Sequence, residues 1–271
     1  TNKNNPAGEK VHQDTTRRFA EIAAEKTSYL ATNPIGFFIS TMMAGAFVGV
    51  GIILILTLGN EADPSSRNLI MGCFFGIALA LIIFAGAELF SGHVMYMTFG
   101  FLYREMSALS VLKDWIICWY GNLFGTVLLS SLFALGGGGG WMSDSTSLVH
   151  NLADLKMNSS IIELLARAMI CNWLLCLAIW MTSKTSSDTT KCILIFWCLF
   201  AFISAGFEHG IANMAIFTIS LLGNHPDTVT MYGLFYNLAW VSLGNVIGGA
   251  GFIGVAYYLT SHSLTQPDQS S

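Results

Sequence analysis

A short motif that occurs twice constrains the fold of this chain more than any other feature. Ala85-Gly86-Ala87-Glu88 returns 120 residues later as Ala205-Gly206-Phe207-Glu208, and both copies lie inside apolar stretches. A second motif follows each copy, because Gly121-Asn122-Leu123-Phe124-Gly125 returns as Gly244-Asn245-Val246-Ile247-Gly248. Two motifs repeated in the same order predict a duplicated unit. Each half is expected to carry one carboxylate within an apolar segment.

The composition identifies the class of protein. Apolar residues make up 54% of the chain, charged residues 10%, and the mean hydropathy is +0.60. A soluble domain with a charged surface does not reach this balance, so we expect an integral membrane protein whose surroundings are the lipid bilayer. The net charge of −4 comes mostly from tails and loops and does not indicate a nucleic-acid partner. The six cysteines lack CxxC spacing, which argues against disulfides and zinc.

The hydropathy pattern predicts six membrane spans. About 20 residues cross a bilayer as a helix. The second and fifth spans are too long for one straight crossing and carry Gly, Glu, Ser, His and Asn at their centres, so we expect two broken helices with irregular central loops. The fold class predicted is an all-α membrane protein with six transmembrane helices. The spans cover roughly residues 35–59, 69–101, 113–136, 160–182, 192–222 and 231–260.

Lysine and arginine distribution predicts the orientation. Nine such residues fall on one side of the predicted membrane and two on the other, which places the N- and C-termini in the cytoplasm. Each half has three spans, an odd number, so the two halves form 3+3 inverted repeats related by a pseudo-two-fold axis in the membrane plane. Glu88 and Glu208 are then expected to meet near the midplane. The nine are Lys3, Lys10, Arg17, Arg18, Lys26, Arg104, Lys113, Lys184 and Lys191, and the two are Arg67 and Lys156.

Three regions follow from these patterns. Residues 1–31 form a cytoplasmic N-terminal amphipathic helix, which either lies on the membrane surface, packs on the cytoplasmic face or gates a pore. Residues 32–262 form the six-span domain, with repeats at about 32–136 and 160–262, and residues 263–271 form a C-terminal tail. The glycine run 136–140 is expected to be a flexible connector between the halves on the outer side.

Three further sequence motifs resemble those of a known protein family. The string Phe207-Glu208-His209-Gly210-Ile211-Ala212-Asn213-Met214, together with Leu89-Phe90-Ser91 and Cys171-Asn172-Trp173, resembles the formate/nitrite transporter family over nearly the whole chain. Within that family the chain is most similar to the nitrite channels. The resemblance implies a homopentamer in a bacterial inner membrane. Each aquaporin-like protomer would enclose a pore for nitrite, formate or hydrosulfide, coupled to protons and without a cofactor.

The same resemblance assigns roles to individual residues. Ser91 and His209 would face a chamber between two apolar constrictions, with Glu88, Glu208, Asn172 and Asn213 beside the pore or in a proton relay. Arg167 would attract anions at a position where the family usually has lysine. The constriction residues implied are Phe75, Leu79, Leu89, Phe90 and Phe202.

The chemistry of His209 suggests a mechanism on independent grounds. Histidine titrates near neutral pH; burial favours its neutral form and an adjacent anion favours the cation. An apolar ring opposes a bare anion far more than its conjugate acid. We therefore expect His209 to transfer a proton to nitrite, which crosses as nitrous acid or as a proton-paired species. The alternative is a buried histidine that only bonds a backbone carbonyl.

Alternatives also stand for the other polar residues. Glu88 and Glu208 could accept backbone N–H groups of the unwound loops and hold their shape, or relay protons. His93, the repeat counterpart of Asn213, could bond its loop or line the pore. Arg167 could pair with Glu163 at i, i+4 or act as a fixed electrostatic attractor, and it cannot donate a proton.

Two other classes of protein fit less well. An aquaporin-like channel for neutral solutes would carry paired Asn-Pro-Ala loops, whereas the only Asn-Pro of the membrane region is Asn33-Pro34. A membrane metalloenzyme would need several histidines on shared faces. His12, His150, His225 and His262 fall in predicted tails or loops, so we predict that the protein is not an enzyme. The sequence leaves open a passive channel, a proton symporter and an exporter.

Overall fold

The structure, a computed structural model, describes residues 6–261, and side chains from residue 12 onward. Residues 1–5 and 262–271, which include His262 and the predicted tail 263–271, lie outside this part of the chain. The described residues form α1 (Pro6–Thr32), α2 (Pro34–Glu61), α3 (Arg67–Ala85), α4 (Phe90–Leu102), α5 (Ala108–Leu135), α6 (Leu148–Met157), α7 (Ile161–Thr182), α8 (Asp188–Ser204), α9 (Gly210–Leu222), α10 (Met231–Val246) and α11 (Ala256–Ser261).

The arrangement of these helices confirms six spans with breaks in the second and fifth. Within residues 6–261, five helical stretches are long and apolar enough to cross a membrane: α2, α3, α5, α7 and the continuous stretch Met231–Ser261. The second span consists of α3 and α4, and the fifth of α8 and α9. The sixth span carries a π-helical segment, Ile247–Val255, between α10 and α11, which the sequence did not predict. This segment begins inside the second copy of the Gly-Asn motif.

The repeated glycines end the first half of each broken helix. Gly86 has φ 74° and Gly206 has φ 71°, a left-handed conformation that glycine adopts without steric cost. The N–H groups of Gly86 and Ala87 both donate to the carbonyl of Ile82, at 3.0 Å each, and so satisfy the helix end. The duplicated Ala-Gly sequence is therefore a helix-terminating signal.

Glycines of the second motif permit close helix packing. A methyl group at Gly125 would collide with the carbonyl oxygen of Met42, and one at Gly248 with that of Met169. Small residues at such positions let helix backbones approach within a membrane. The motif thus brings α5 onto α2 in the first half, and the junction of α10 with the π-helical segment onto α7 in the second.

Helix α1 packs against the transmembrane helices. Phe19, Ala20 and Ala23 are buried, with Phe19 stacked on Phe99 of α4 at a centroid distance of 5.9 Å. Lys184 Nζ, in the α7–α8 connection, donates to Thr15 Oγ1 at 3.3 Å. The apolar face of α1 is therefore covered by protein, which matches the packed helix rather than one lying on the lipid surface.

The connection between the halves is more ordered in secondary structure than we predicted. The flexible connector expected at residues 136–140 forms a 3₁₀ turn at Gly138–Gly140, and helix α6 follows it. His150, expected in a loop, is buried in α6, where Nδ1 lies 2.8 Å from Ser220 Oγ and Nε2 lies 3.1 Å from the carbonyl oxygen of Met142. His12, also expected in a tail, lies in α1.

Candidate functional site

Two buried asparagines hold the two helix breaks in the same way. In the first half, Asn122 Oδ1 accepts the backbone N–H of Phe90 at 2.8 Å, and Nδ2 donates to the carbonyls of Thr41 at 2.7 Å and Glu88 at 3.0 Å. These contacts satisfy the backbone groups that unwinding exposes within the membrane. Asn122 is therefore the residue that fixes the shape of this break.

The second break repeats the arrangement. Asn245 Oδ1 accepts the N–H of Gly210 at 2.9 Å, and Nδ2 donates to the carbonyls of Ala168 at 2.8 Å and Glu208 at 3.1 Å. The expectation that the glutamate carboxylates would bond the loop N–H groups is therefore wrong for these bonds, since the asparagines make them. In the sequence, the signal for this role is a polar residue between two glycines of an apolar span, which occurs once in each half.

The carboxylates of Glu88 and Glu208 instead face lysines. Glu88 Oε2 pairs with Lys26 Nζ of α1, and Glu208 Oε1 lies 2.9 Å from Lys156 Nζ of α6. Glu88 lines a cavity of about 240 Å³ and Glu208 a different cavity of about 180 Å³. The two carboxylates, which were predicted to meet near the midplane, therefore line different cavities. Each serves one of two cavities, and each cavity contains one lysine–glutamate pair.

A hydrogen bond between His209 and Ser91 joins the two breaks. His209 Nε2 lies 2.6 Å from Ser91 Oγ, and Nδ1 accepts the backbone N–H of Ala212 at 3.3 Å. Because Nδ1 accepts a bond, the ring proton of the neutral imidazole lies on Nε2, which donates to the serine hydroxyl. Both side chains are buried. The structure brings these two predicted chamber residues into direct contact.

Aromatic and aliphatic side chains surround this contact. The rings of Phe75 and Phe202 meet edge to face at 5.7 Å, and the Phe202 ring lies 6.1 Å from that of His209. Leu79 and Leu89 line the cavity that contains Glu88. Four of the five predicted constriction residues thus lie at His209 or at the adjoining cavity.

Phe90 has a different position. It lines a groove with Trp115, Ile116, Trp119 and Tyr120 of α5. The structure therefore places Phe90 beside this groove rather than among the lining residues of either cavity.

Asn172 and Asn213 each bond one of the breaks. Asn172 Nδ2 donates to the carbonyls of Ser91 at 3.3 Å and Asn245 at 2.7 Å. Asn213 Nδ2 donates to Glu208 Oε2 at 2.6 Å and to Asn237 Oδ1 at 2.9 Å. The Oδ1 atoms of both are buried without a hydrogen-bond partner among the described residues, so each can accept a bond from water or from a protonated solute.

Arg167 combines both of its predicted environments. Its Nη2 lies 3.7 Å from Glu163 Oε1, with the two side chains 38% and 51% exposed. Arg167 also lines the second cavity together with Lys156 and Glu208. An exposed pair of this kind contributes little to stability, so the positive charge remains available to an approaching anion. Lys156 supplies this cavity with a lysine in addition to the arginine.

Several site residues were not singled out in the sequence. Lys26 and Lys156 were counted only for orientation, and Asp114 and Asn237 were not considered. Asp114 bonds His93, with 2.6 Å between Asp114 Oδ1 and His93 Nδ1. Asn237 bonds Asn213 in the same way in the second half. Asp114 and Asn237 are 123 residues apart, the same offset as the two motif asparagines, and this offset was the available signal.

Metal binding has no support in the described residues. No group of three or more His, Cys, Asp or Glu side chains in this part of the chain is arranged to hold a metal ion. The carboxylate and imidazole groups instead bond one another or lysines. The site therefore consists of two cavities, each with one lysine–glutamate pair, and a buried histidine–serine bond whose histidine lines the second cavity.

Comparison with known proteins places this geometry in a family. A family model described as "Formate/nitrite transporter" matches residues 13–259. The chain is 46% identical over 257 residues to the "Nitrite transporter NirC" of Escherichia coli (strain K12), covering 94% of each chain. It is 33% identical over 222 residues to the "Formate channel BtFdhC" of Bacillus thuringiensis, covering 80% of this chain and 83% of the relative.

Solved structures have the same fold. A chain described as "FNT family ion channel" superposes with a TM-score of 0.89 at 46% identity, covering 90% of this chain and 98% of that one. A "Pentameric formate channel with formate bound" superposes with a TM-score of 0.68 at 24% identity, covering 83% of this chain and 96% of that one. The second likeness concerns the fold alone.

Proposed function

This chain belongs to the formate/nitrite transporter family, and from that membership we propose that it is a membrane channel for small monovalent anions whose permeant is nitrite. The greater identity to nitrite transporters than to a formate channel, 46% against 33%, supports nitrite. The channel is a homopentamer in the bacterial inner membrane with both termini cytoplasmic, and it performs no enzymatic reaction. The pentameric formate channel of the same fold and the charge distribution support these assignments.

The observation that carries this proposal is the buried His209–Ser91 bond among apolar rings. Arg167 in the second cavity raises the local concentration of anions, and in each cavity a lysine neutralises the glutamate that would otherwise repel them. Desolvation opposes passage of the bare anion past Phe75 and Phe202, whereas the neutral acid passes at far lower cost. Between the cavities, His209 is the group that exchanges a proton with the permeant.

A proton that arrives with the anion converts His209 to the imidazolium, and the 3.3 Å bond from Ala212 N–H to Nδ1 is long enough to be given up for it. The Nδ1–H bond of the imidazolium then breaks and an O–H bond forms on nitrite. Nitrous acid leaves, and the neutral imidazole bonded to Ser91 is restored. One proton crosses with each anion.

Parallel flux measurements test the substrate and the coupling. Proteoliposomes receive nitrite, formate or hydrosulfide at equal concentration while internal pH is recorded. We expect nitrite to enter fastest and the lumen to acidify by one proton per anion. Faster formate flux would reassign the substrate, and nitrite flux without a pH change would contradict proton transfer.

The variant His209→Asn tests the central residue. Removal of a general acid–base group typically costs about 10²–10⁴-fold. We expect a loss of at least about 10²-fold in nitrite flux together with loss of its pH dependence. His225→Asn, the same change at a loop histidine that contacts the Pro226 carbonyl, should leave both properties intact. Wild-type rate and pH dependence in His209→Asn would overturn the role.

A further inference from the structure

Corresponding side chains form a hydrogen-bond network beside each cavity, and two of these side chains differ in their chemistry. In the second half, Asn213 bonds Glu208 Oε2 at 2.6 Å and Asn237 Oδ1 at 2.9 Å. In the first half, His93 takes the place of Asn213, with Nε2 at 2.7 Å from Glu88 Oε2 and Nδ1 at 2.6 Å from Asp114 Oδ1. An amide pair has been replaced by an imidazole and a carboxylate. The imidazole and carboxylate of the first half can therefore gain or lose a proton at positions where the amide pair of the second half cannot.

Counting hydrogens shows how many protons the first network holds. Each N···O bond of His93 requires one proton between the ring nitrogen and the carboxylate oxygen. A neutral imidazole has one N–H, and an ionised carboxylate has none. The two bonds of His93 therefore require two protons. A neutral histidine between two ionised carboxylates provides only one, so the network holds one additional proton. Because imidazole in water binds a proton more tightly than a carboxylate, we expect the additional proton to reside on His93 as the imidazolium.

The charges of the surrounding groups agree with this count. Lys26 and His93 as cations balance Glu88 and Asp114 as anions, so the cluster is neutral. In the second half, Lys156 and Glu208 balance each other and the two asparagines carry no charge. Loss of the extra proton would leave the first cluster with one uncompensated negative charge, and burying such a charge is costly.

Other groups near His93 do not supply a further charge at neutral pH. Tyr96 meets the His93 ring at a centroid distance of 6.3 Å, and Phe37 of α2 meets it at 5.8 Å. Cys118 of α5 donates to the carbonyl of Glu88 at 3.4 Å and so lies beside the cluster as a thiol. The titratable groups facing His93 among the described residues are Lys26 of α1, Glu88 of the break, Tyr96 of α4, and Asp114 and Cys118 of α5.

We propose that Glu88, His93 and Asp114 form a proton-loaded site that makes anion access to the first cavity dependent on protons. Glu88 and His93 both line that cavity, together with Lys26 and Leu89. With the proton bound, an approaching anion meets a neutral cluster; without it, the anion meets a net negative charge. His93 sets the electrostatic potential of the cavity and is distinct from His209, which exchanges the proton with the permeant. The effect on access rests on the proposed anion transport, whereas the proton count rests on the hydrogen bonds alone.

Nitrogen-15 NMR on the full-length protein labelled at its six histidines tests the proton count without any transport. We expect both ring nitrogens of His93 to be protonated at neutral pH, while His209 shows one protonated and one unprotonated nitrogen. The His93 signals are assigned by their disappearance in the double variant His93→Asn/Asp114→Asn, which copies the amide pair of the second half. An unprotonated ring nitrogen on His93 at neutral pH would overturn the assignment.

Nitrite flux in proteoliposomes tests the consequence for anion access. His93→Asn leaves Asp114 uncompensated and mimics loss of the proton. We expect nitrite flux to fall about tenfold. This is the effect of the repulsion between the anion and one unit charge about 10 Å away at an effective dielectric constant of about 20. The double variant His93→Asn/Asp114→Asn should recover most of that flux. The loss in the single variant should shrink at high salt, because mobile ions screen the charge.

The pH profile provides a readout that a merely structural role would not change. Wild-type nitrite flux should decrease at alkaline pH as the extra proton is lost from the first network. The double variant should lack this decrease. This comparison does not need the single variant, so it remains possible even if His93→Asn does not fold. Equal pH profiles in wild type and double variant, or a salt-insensitive loss in His93→Asn, would overturn the proposal. Failure of nitrite flux in the wild type would instead contradict the proposed function and leave the NMR result standing.

Discussion

His209 Nε2 and Ser91 Oγ, 2.6 Å apart, connect the two helix breaks at positions where the repeats differ. By the 120-residue offset of the first motif, Leu89 corresponds to His209 and Ser91 corresponds to Ile211. The asparagine bonds that hold the two breaks follow the internal symmetry, whereas this bond does not. The duplicated scaffold therefore positions a contact between two polar side chains whose counterparts are apolar.

The serine hydroxyl should matter through this bond. Ser91→Ala leaves the Nε2–H of His209 buried without its acceptor, and such a loss costs about 1–3 kcal/mol. We expect nitrite flux in proteoliposomes to fall by about tenfold or more and its pH dependence to change. Ser91→Thr keeps a hydroxyl at the same position and should retain most of the flux. Equal flux in the alanine and threonine variants would show that the bond does not contribute.

Much of the fold was readable because local patterns specify it. Apolar spans predict transmembrane helices by length alone, and Gly86 and Gly206 mark the breaks because a polar, flexible centre is incompatible with a continuous lipid-facing helix. The family motif around His209 located the central histidine. Each of these features is encoded within a short stretch of chain, so it can be recognised in the sequence without knowledge of tertiary contacts.

The polar contacts could not be read in the same way because they join distant elements. Lys26 reaches Glu88 from α1, and Lys156 reaches Glu208 from α6, a short helix where the sequence predicts a loop. Hydropathy carries no information about which carboxylate a lysine will pair with. The same is true of Asn122 and Asn245, whose motif was recognised as a repeat but whose bonds to the breaks appear only when α5 and α10 are packed.

The motif asparagines should be essential to stability. Asn245→Ala removes the acceptor for Gly210 N–H and two donors to buried carbonyls, each loss costing about 1–3 kcal/mol. We expect a thermal unfolding midpoint lower by several degrees in detergent and faster proteolysis, with Asn122→Ala behaving alike. Asn151→Ala, at an exposed position of α6, is the matched control and should change the midpoint little. An unchanged midpoint in Asn245→Ala would contradict the role of this residue.

Arg167 should act through its charge rather than through its ion pair. Arg167→Gln is expected to lower nitrite uptake by about threefold at low salt, because the cavity loses an attractive charge, and the difference should diminish at high salt. Arg167→Lys should retain uptake. Glu163→Gln breaks the 3.7 Å pair while leaving the arginine positive, so it should not lower uptake. Reduced uptake in Glu163→Gln would favour a structural role for the pair.

The connection between the halves should make stability sensitive to acid. Burial lowers the pKa of the His150 imidazole, and the nearby His225 lowers it further. The unfolded chain therefore takes up a proton at a pH where the folded protein does not, so acid favours unfolding. Neutral His150 contributes its full stabilisation above about pH 6.5, the ordinary pKa of a histidine side chain. This contribution is lost as the pH falls from that value toward the lower pKa of His150 in the folded state. We expect the thermal unfolding midpoint to fall between pH 8 and pH 5. His150→Gln should be less stable at pH 8 and show a smaller fall, whereas an equal fall in both proteins would exclude His150 as the titrating group.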